Sequence, residues 1–199
     1  MSQTEARCAS IERKTKETEI NVQLNLDGAG EYEITTGIAF FDHMLESFAK
    51  HGAFDLRITA KGDLEVDTHH TVEDIGITLG QALREALGTA AGIRRYGAVV
   101  LPMSEAKVEV ALDISNRPYF VYRVDLQNNR IGTFDASLAE DFLYAFSQNA
   151  GIDLHVNLCY GKNPHHVVEA IFKGFARALR AAVERDPRMQ GLPTVKGAL

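Results

Sequence analysis

The sequence predicts an α+β protein made by internal duplication, and three observations carry that reading. A five-residue signature occurs twice, as His69-His70-Thr71-Val72-Glu73 and His165-His166-Val167-Val168-Glu169. Each copy opens an apolar stripe of helical period, Val72, Ile75, Leu79, Leu83 and Leu87 in the first and Val168, Ile171, Phe175, Leu179 and Val183 in the second. When 67–88 is laid on 163–184, nine of 22 positions are identical, so the likeness extends well past the motif. The expected architecture is two ββαββα halves, 1–92 and 93–187, each a sheet covered on one face by helices, followed by a C-terminal tail, 188–199.

In chain order, a polar start of about ten residues precedes Ile20, Val22, Leu24 and Leu26, which alternate with polar residues as a half-buried strand does. Asp27-Gly28-Ala29-Gly30 turns the chain into Tyr32 to Thr36, which reads as a hairpin. Phe40, Phe41, Met44, Leu45 and Phe48 form a helical stripe closed by Gly52, and Leu56 to Thr59 and Leu64 to Val66 read as two strands before the first signature helix. The second half repeats the order. Val108, Val110, Leu112 and Ile114 alternate, Asn116-Arg117-Pro118 turns, Tyr119 to Val124 returns, and Phe142, Leu143 and Phe146 supply the helix stripe. Residues 88–104 read as a linker, and the polar composition of 189–199 reads as a disordered tail.

The chain has 199 residues, 45% of them hydrophobic, which is enough for one core shared by two halves. A formal net charge of −6 argues against a general nucleic-acid binder. No apolar stretch approaches the ~18 residues of a membrane span, so a cytoplasmic protein is expected, with Cys8 and Cys159 as free thiols.

On a helix, residues three and four apart share a face, so His69 and His70 can each converge with Glu73, and the second copy offers His165, His166 and Glu169 in the same pattern. Imidazole nitrogen with carboxylate oxygen is a ligand mixture that borderline divalent ions accept. One such motif is also a plain polar helix start. Two copies at matching places in a repeat point to metal. A further asymmetry lies in the second helix, where Lys173 stands at the position of Ile77 in the first; an apolar residue replaced by a cation points to a specialised, anion-binding role.

Phe41-Asp42-His43-Met44-Leu45, Asp67 to Asp74, Asn163 to Glu169 and Pro193-Thr194-Val195-Lys196-Gly197 occur in an order that resembles the imidazoleglycerol-phosphate dehydratase family of histidine biosynthesis. The resemblance runs from about Arg13 to Leu199. It implies a metal-dependent hydro-lyase that converts imidazole glycerol phosphate to imidazole acetol phosphate, with two Mn2+ per active site. It also implies a homo-oligomer of 24 subunits with sites between them. The metal ligands it implies are His43, His69, His70, Glu73, His165, His166 and Glu169. Asp141, beside Glu140, stands where some members carry a further histidine, so the resemblance implies a carboxylate ligand there, Asp141 or its neighbour Glu140. Glu17, His70, Glu73, His166 and Glu169 are the implied catalytic groups. Substrate contacts are implied for Glu17, His43, His51, Arg95, Arg117, Lys173, Thr194 and Lys196. Thr194 takes the place of a serine and keeps its hydroxyl; Ser104 stands where aspartate is common.

Those residues suit the chemistry. The hydrogen to be lost is not acidic by itself, so Lewis acids on the ring nitrogens would stabilise an imidazolate and let the ring push out the neighbouring hydroxyl. Arginine binds phosphate oxygens in pairs and lysine serves as a point charge. Two other readings use the same residues: a binuclear phosphoester hydrolase, which would release inorganic phosphate, and a non-catalytic oligomer held by closed structural metal.

Overall fold

The computed structural model describes residues 6–197; 1–5 and 198–199, the outer ends of the first half and of the tail, lie outside the described residues. The first half runs β1 (Cys8–Lys14), β2 (Thr18–Asn25), β3 (Tyr32–Thr35), α1 (Ala39–Gly52), β4 (Asp55–Gly62) and α2 (His69–Leu87). The second runs β5 (Tyr96–Met103), β6 (Ala106–Asp113), β7 (Tyr119–Arg123), a short β8 (Arg130–Ile131) and β9 (Phe134–Asp135) hairpin, α3 (Leu138–Ala150), β10 (Asp153–Tyr160) and α4 (Pro164–Val183). The sheets have the same topology, β1-β2-β4-β3 and β5-β6-β10-β7, with the last pair parallel and the others antiparallel. The α+β class, the duplication and the helix-covered sheets therefore hold, while the order within each half is βββαβα rather than ββαββα.

Three strand placements account for that difference. The polar start contains β1, whose inward positions are Ala9, Ile11 and Arg13; Arg13 Nε donates to the buried Asp74 carboxylate at 2.8 Å, so an ion pair stands where an apolar residue was sought. The supposed linker contains β5, with Gly97, Val99 and Leu101 turned inward. Leu64 to Val66 is a turn, closed by Val66 N donating to Asp63 O, with Val66 exposed. The hairpin expected between β2 and β3 is likewise absent, because β4 lies between them. Asp55, which opens β4, accepts from the Ala29 and Glu31 amides at 2.8 and 3.1 Å and pins the 28–31 loop across the sheet end. The hairpins are instead β1–β2 and β5–β6.

Helix α2 packs on β1 and β2, and α4 on β5 and β6; α1 lies on β3 and against α4, and α3 on β7 and against α2. The helices of the two halves thus meet between the two sheets. Phe41, Phe48, Phe142, Phe146, Phe172 and Phe175 are fully buried there, with Phe142–Phe172 and Phe146–Phe175 centroids 5.3 and 5.0 Å apart. Truncating any one of these rings to alanine would cost about 3–5 kcal/mol. The close approach of α2 to α3 depends on Gly76 and Gly80: a Cβ at either would stand 2.6 Å from a carbonyl oxygen, of Phe142 and Phe146 respectively. The matching positions of α4 are Phe172 and Ala176, so the α1–α4 contact is filled by a side chain where the α2–α3 contact is made by backbone.

The tail is not a loose end. The Gly92 amide donates to Gly191 O at 2.8 Å, and Arg95 Nη1 donates to Pro193 O at 2.9 Å. Composition misjudged 189–197 because its anchors are backbone groups held by residues far away in sequence.

Candidate active site

Both signatures lie at helix N-termini. Asn163 caps α4, its Oδ1 accepting from His165 N at 3.0 Å with Pro164 in the first turn, and Asp67 Oδ1 does the same for His69 N at 2.8 Å.

The signature of each half meets a helix of the other half. His165 and Glu169 of α4 face His43 of α1, and one ligand atom from each lies within 4.8 Å of the others, the one such group among the described residues. His165 Nε2 is 3.2 Å from Glu169 Oε2, and His43 Nε2 is 3.9 Å from Glu169 Oε1. Glu169 is buried, which pushes its carboxyl upward; the Lys173 ammonium at 2.7 Å, aided by His43 and His165, outweighs that and holds it below the ordinary value. Lys173 therefore lies on the histidine–carboxylate cluster, with its ammonium 3.6 Å from Met103 Sδ. His51, one face further along α1, is held below the ordinary histidine value by burial, then by Lys173 and Arg177.

In the other half His69 and Glu73 of α2 face Asp141 of α3. His69 Nε2 is 3.7 Å from Glu73 Oε2, while its Nδ1 is 3.6 Å from Asp141 Oδ2. The two carboxylates thus flank opposite edges of one ring. Glu140 points elsewhere, and burial followed by the Asp141 charge raises its carboxyl above the ordinary value.

The second histidine of each signature turns onto a different carboxylate. His70 Nδ1 lies 3.1 Å from Asp63 Oδ2 and 3.9 Å from Glu17 Oε2; the Asp63 hydrogen bond raises its pKa above the ordinary value, against a smaller effect of burial. His166 Nδ1 lies 2.6 Å from Glu105 Oε2. Asp63 and Glu105 were not singled out in the sequence. The available signal for Glu105 was the repeat itself: matching Ile20, Val22 and Leu24 with Val108, Val110 and Leu112 puts Glu105 on Glu17.

The remaining candidates line a cavity of about 690 Å³, bounded by Arg95, Ser115, Arg117, Pro193, Thr194 and Lys196 among others. Arg95, at a φ of 74°, spends its guanidinium on both Asp113 oxygens, at 2.6 and 2.9 Å, and on the Pro193 carbonyl. It holds the tail in place and is not free to bind an anion with both edges. Arg117 and Lys196 make no ion pair among the described residues, and Thr194 Oγ1 accepts from the Lys196 amide at 3.1 Å. None of the signature residues lines this cavity. His155 is on the outer face of β10 beside Tyr119, away from both groups.

Residues 36–179 match the family profile described as imidazoleglycerol-phosphate dehydratase. The chain belongs to the imidazoleglycerol-phosphate dehydratase family. It is 56% identical over 195 residues to the imidazoleglycerol-phosphate dehydratase of Desulfitobacterium hafniense, covering 98% of this chain and 100% of that protein. To that of Ruegeria pomeroyi it is 56% identical over 194 residues, covering 97% and 100%. Among solved structures, the imidazoleglycerol-phosphate dehydratase of Staphylococcus aureus superposes with a TM-score of 0.82 at 38% identity, over 90% of this chain and 99% of that one. The Pyrococcus furiosus enzyme, in complex with (S)-C348, gives 0.82 at 40%, over 95% and 100%. Among the described residues of this family member, no helix is long and apolar enough to cross a membrane.

Proposed function

We propose that this protein is a hydro-lyase of histidine biosynthesis that removes water from imidazole glycerol phosphate to give imidazole acetol phosphate. The observation that carries the reading is the pairing of two histidine–carboxylate clusters with a separate basic cavity, in a chain that matches named dehydratases along its whole length.

The donor set fits manganese or a similar divalent ion: imidazoles and carboxylates, with three donor atoms already converged. His43, His165 and Glu169 would hold one ion, His69 and Glu73 the other, with Asp141 on the far edge of His69. Ions bound there would act as Lewis acids on the substrate's imidazole ring. The chain's own residues do the rest. Glu17, whose carboxylate is half exposed at the tip of a hairpin and only 3.9 Å from His70, takes the proton from the second chain carbon. The hydroxyl on the carbon beside the ring leaves as water with the proton the enol gives up, and Glu17 returns its own proton to that carbon to give the ketone. Arg117, Lys196 and the Thr194 hydroxyl bind the phosphate, and Arg95 places the tail that carries two of them.

His70 and His166 are engaged by carboxylates outside the clusters of their own chain, and the basic cavity contains no signature residue. Both features favour sites shared between copies, in which the second histidine and the phosphate pocket serve a neighbouring subunit, in a cytosolic homo-oligomer of 24 chains. A phosphoester hydrolase would use similar donors, but its relatives' names offer it no support. The test is product analysis on imidazole glycerol phosphate before and after chelation. A phosphorylated ketone that disappears with chelator and returns with Mn2+ is expected; inorganic phosphate as the product would contradict the reading.

A further inference from the structure

We infer that Asp63 and Glu105 are the positioning residues of the second histidine in each signature: each accepts a hydrogen bond from Nδ1–H, of His70 and His166 respectively, and so leaves Nε2 as a bare lone pair for a metal ion. The inference rests on the metal-dependent reading above and adds to it residues that the repeat alone does not pair.

The register of the two hairpins shows how the roles came apart. β1 and β2 pair as far as Lys14 with Glu19, Thr15 N adds a bond to Thr18 O, and Lys16-Glu17 form the tip. β5 and β6 pair as far as Met103 with Ala106, and Ser104-Glu105 form the tip, with Ser104 at a φ of 50° as the first residue of such a tight turn requires. Glu17 and Glu105 are therefore structural equivalents, and each tip points at the second histidine of its own half. They do different work. Glu105 Oε2 lies 2.6 Å from His166 Nδ1, and Oε1 accepts from the Asn163 and Lys162 amides at 2.8 and 3.3 Å, so both oxygens are committed. In the first half the segment between β4 and α2, residues 63–68, is longer than the segment between β10 and α4, residues 161–163, and brings its own carboxylate, Asp63, to His70. Glu17 is thereby displaced to 3.9 Å and left free. The longer segment of the first half supplies, in Asp63, the contact that Glu105 makes in the second, and so leaves Glu17 for other work.

The chemistry of the pair fixes the tautomer. An ionised carboxylate only accepts, so the facing ring nitrogen must carry the hydrogen. Glu105 accepts from the Asn163 and Lys162 amides at Oε1 and faces the His166 ring at Oε2, so it stands as the acceptor in that contact. Nδ1 being the donor, Nε2 is the nitrogen left to bind, and a carboxylate behind it raises its basicity.

Two substitutions separate this role from plain structural support. In Glu105→Gln the Lys162 and Asn163 amides claim the carbonyl oxygen, which turns the NH2 group toward His166 and imposes the wrong tautomer while the hydrogen bonds that cap α4 survive. In Asp63→Asn nothing else holds the amide, so it can rotate its oxygen to His70, whereas Asp63→Ala cannot. Metal-free protein of each variant, checked for fold by circular dichroism and for assembly by mass, is titrated with Mn2+. Glu105→Gln should weaken the binding of one of the two ions per chain by about 10- to 100-fold; Asp63→Ala should do the same, and Asp63→Asn should recover most of the loss. Binding by Glu105→Gln within about twofold of the parent, or equal loss in Asp63→Asn and Asp63→Ala, would overturn the inference. Should Glu105→Gln fail to assemble, the Asp63 pair decides alone. A parent protein that binds no divalent ion would instead overturn the metal-dependent reading itself.

Discussion

The two clusters of this chain descend from one pattern and now differ in charge. His43, His165 and Glu169 share their space with Lys173, so one buried carboxylate is balanced by one ammonium beside two half-exposed imidazoles. His69 is flanked by two carboxylates, Glu73 and Asp141, all three half exposed, and the position of Lys173 is taken by Ile77. The first pairs its carboxylate with an ammonium, whereas the second has two carboxylates and no such ammonium among the described residues. Duplication supplied the geometry twice, and substitution then gave each copy a different task. The same divergence separates the helix contacts, where Gly76 and Gly80 let α2 meet the α3 backbone while Phe172 fills the corresponding gap in α4.

The strongest test of equivalence between the copies is removal of one ligand from each. His70→Ala and His166→Ala should each lose an ion and lower kcat by about 10³-fold or more, since a Lewis acid supplies several kcal/mol to such a transition state. Retention of full metal content in either variant would show that its signature is not a ligand set. The tail comes next. Deleting residues after Gly191 removes Thr194 and Lys196 from the cavity, two contacts of about 1.5–3 kcal/mol each, so kcat/KM should fall by on the order of a hundredfold or more with metal content and oligomer mass unchanged. Unchanged turnover would return the tail to a structural role.

A smaller effect probes the helix contacts. Gly76→Ala places a methyl against the Phe142 carbonyl and should cost about 1–3 kcal/mol in denaturant unfolding. Phe172→Leu, on the α4 side, should cost less because only a side chain repacks; the reverse order would contradict the assignment of the two contacts. The least effect is a pH dependence in metal-free protein. The Asp63 hydrogen bond raises the His70 pKa above its ordinary 6.5, so its contribution to stability is fully present below 6.5 and is lost as pH rises through the higher folded value. The difference in melting temperature between the parent and Asp63→Asn should therefore be greater at about pH 6 than at about pH 8.

Helices and duplication were legible in the sequence because their signal is local: the stripes of α1 to α4 are long and apolar, and the signatures repeat in register. Strands β1 and β5 were not, because their inward faces hold Arg13, Ala9 and Gly97, whose burial depends on Asp74 and on the close backbone of α4. Among site residues, the histidines announced themselves by spacing. Asp63 and Glu105 did not, since one sits in a turn and the other at a hairpin tip, and only the folded sheet brings them to a histidine more than sixty positions away in the case of Glu105. Lys173 was legible as a specialised position, but its partner Glu169 was visible only in the helix geometry.

Under the proposed function, two diverged copies of one signature build two ion sites that neighbouring chains complete. The most direct measurement is an anomalous diffraction map of crystals of the Mn2+-loaded protein. Two peaks per chain are expected, one against His43, His165 and Glu169 and one against His69 and Glu73, each reached by the Nε2 of His70 or His166 from an adjacent subunit. A single peak per chain, or ions whose ligands all come from one chain, would contradict the account.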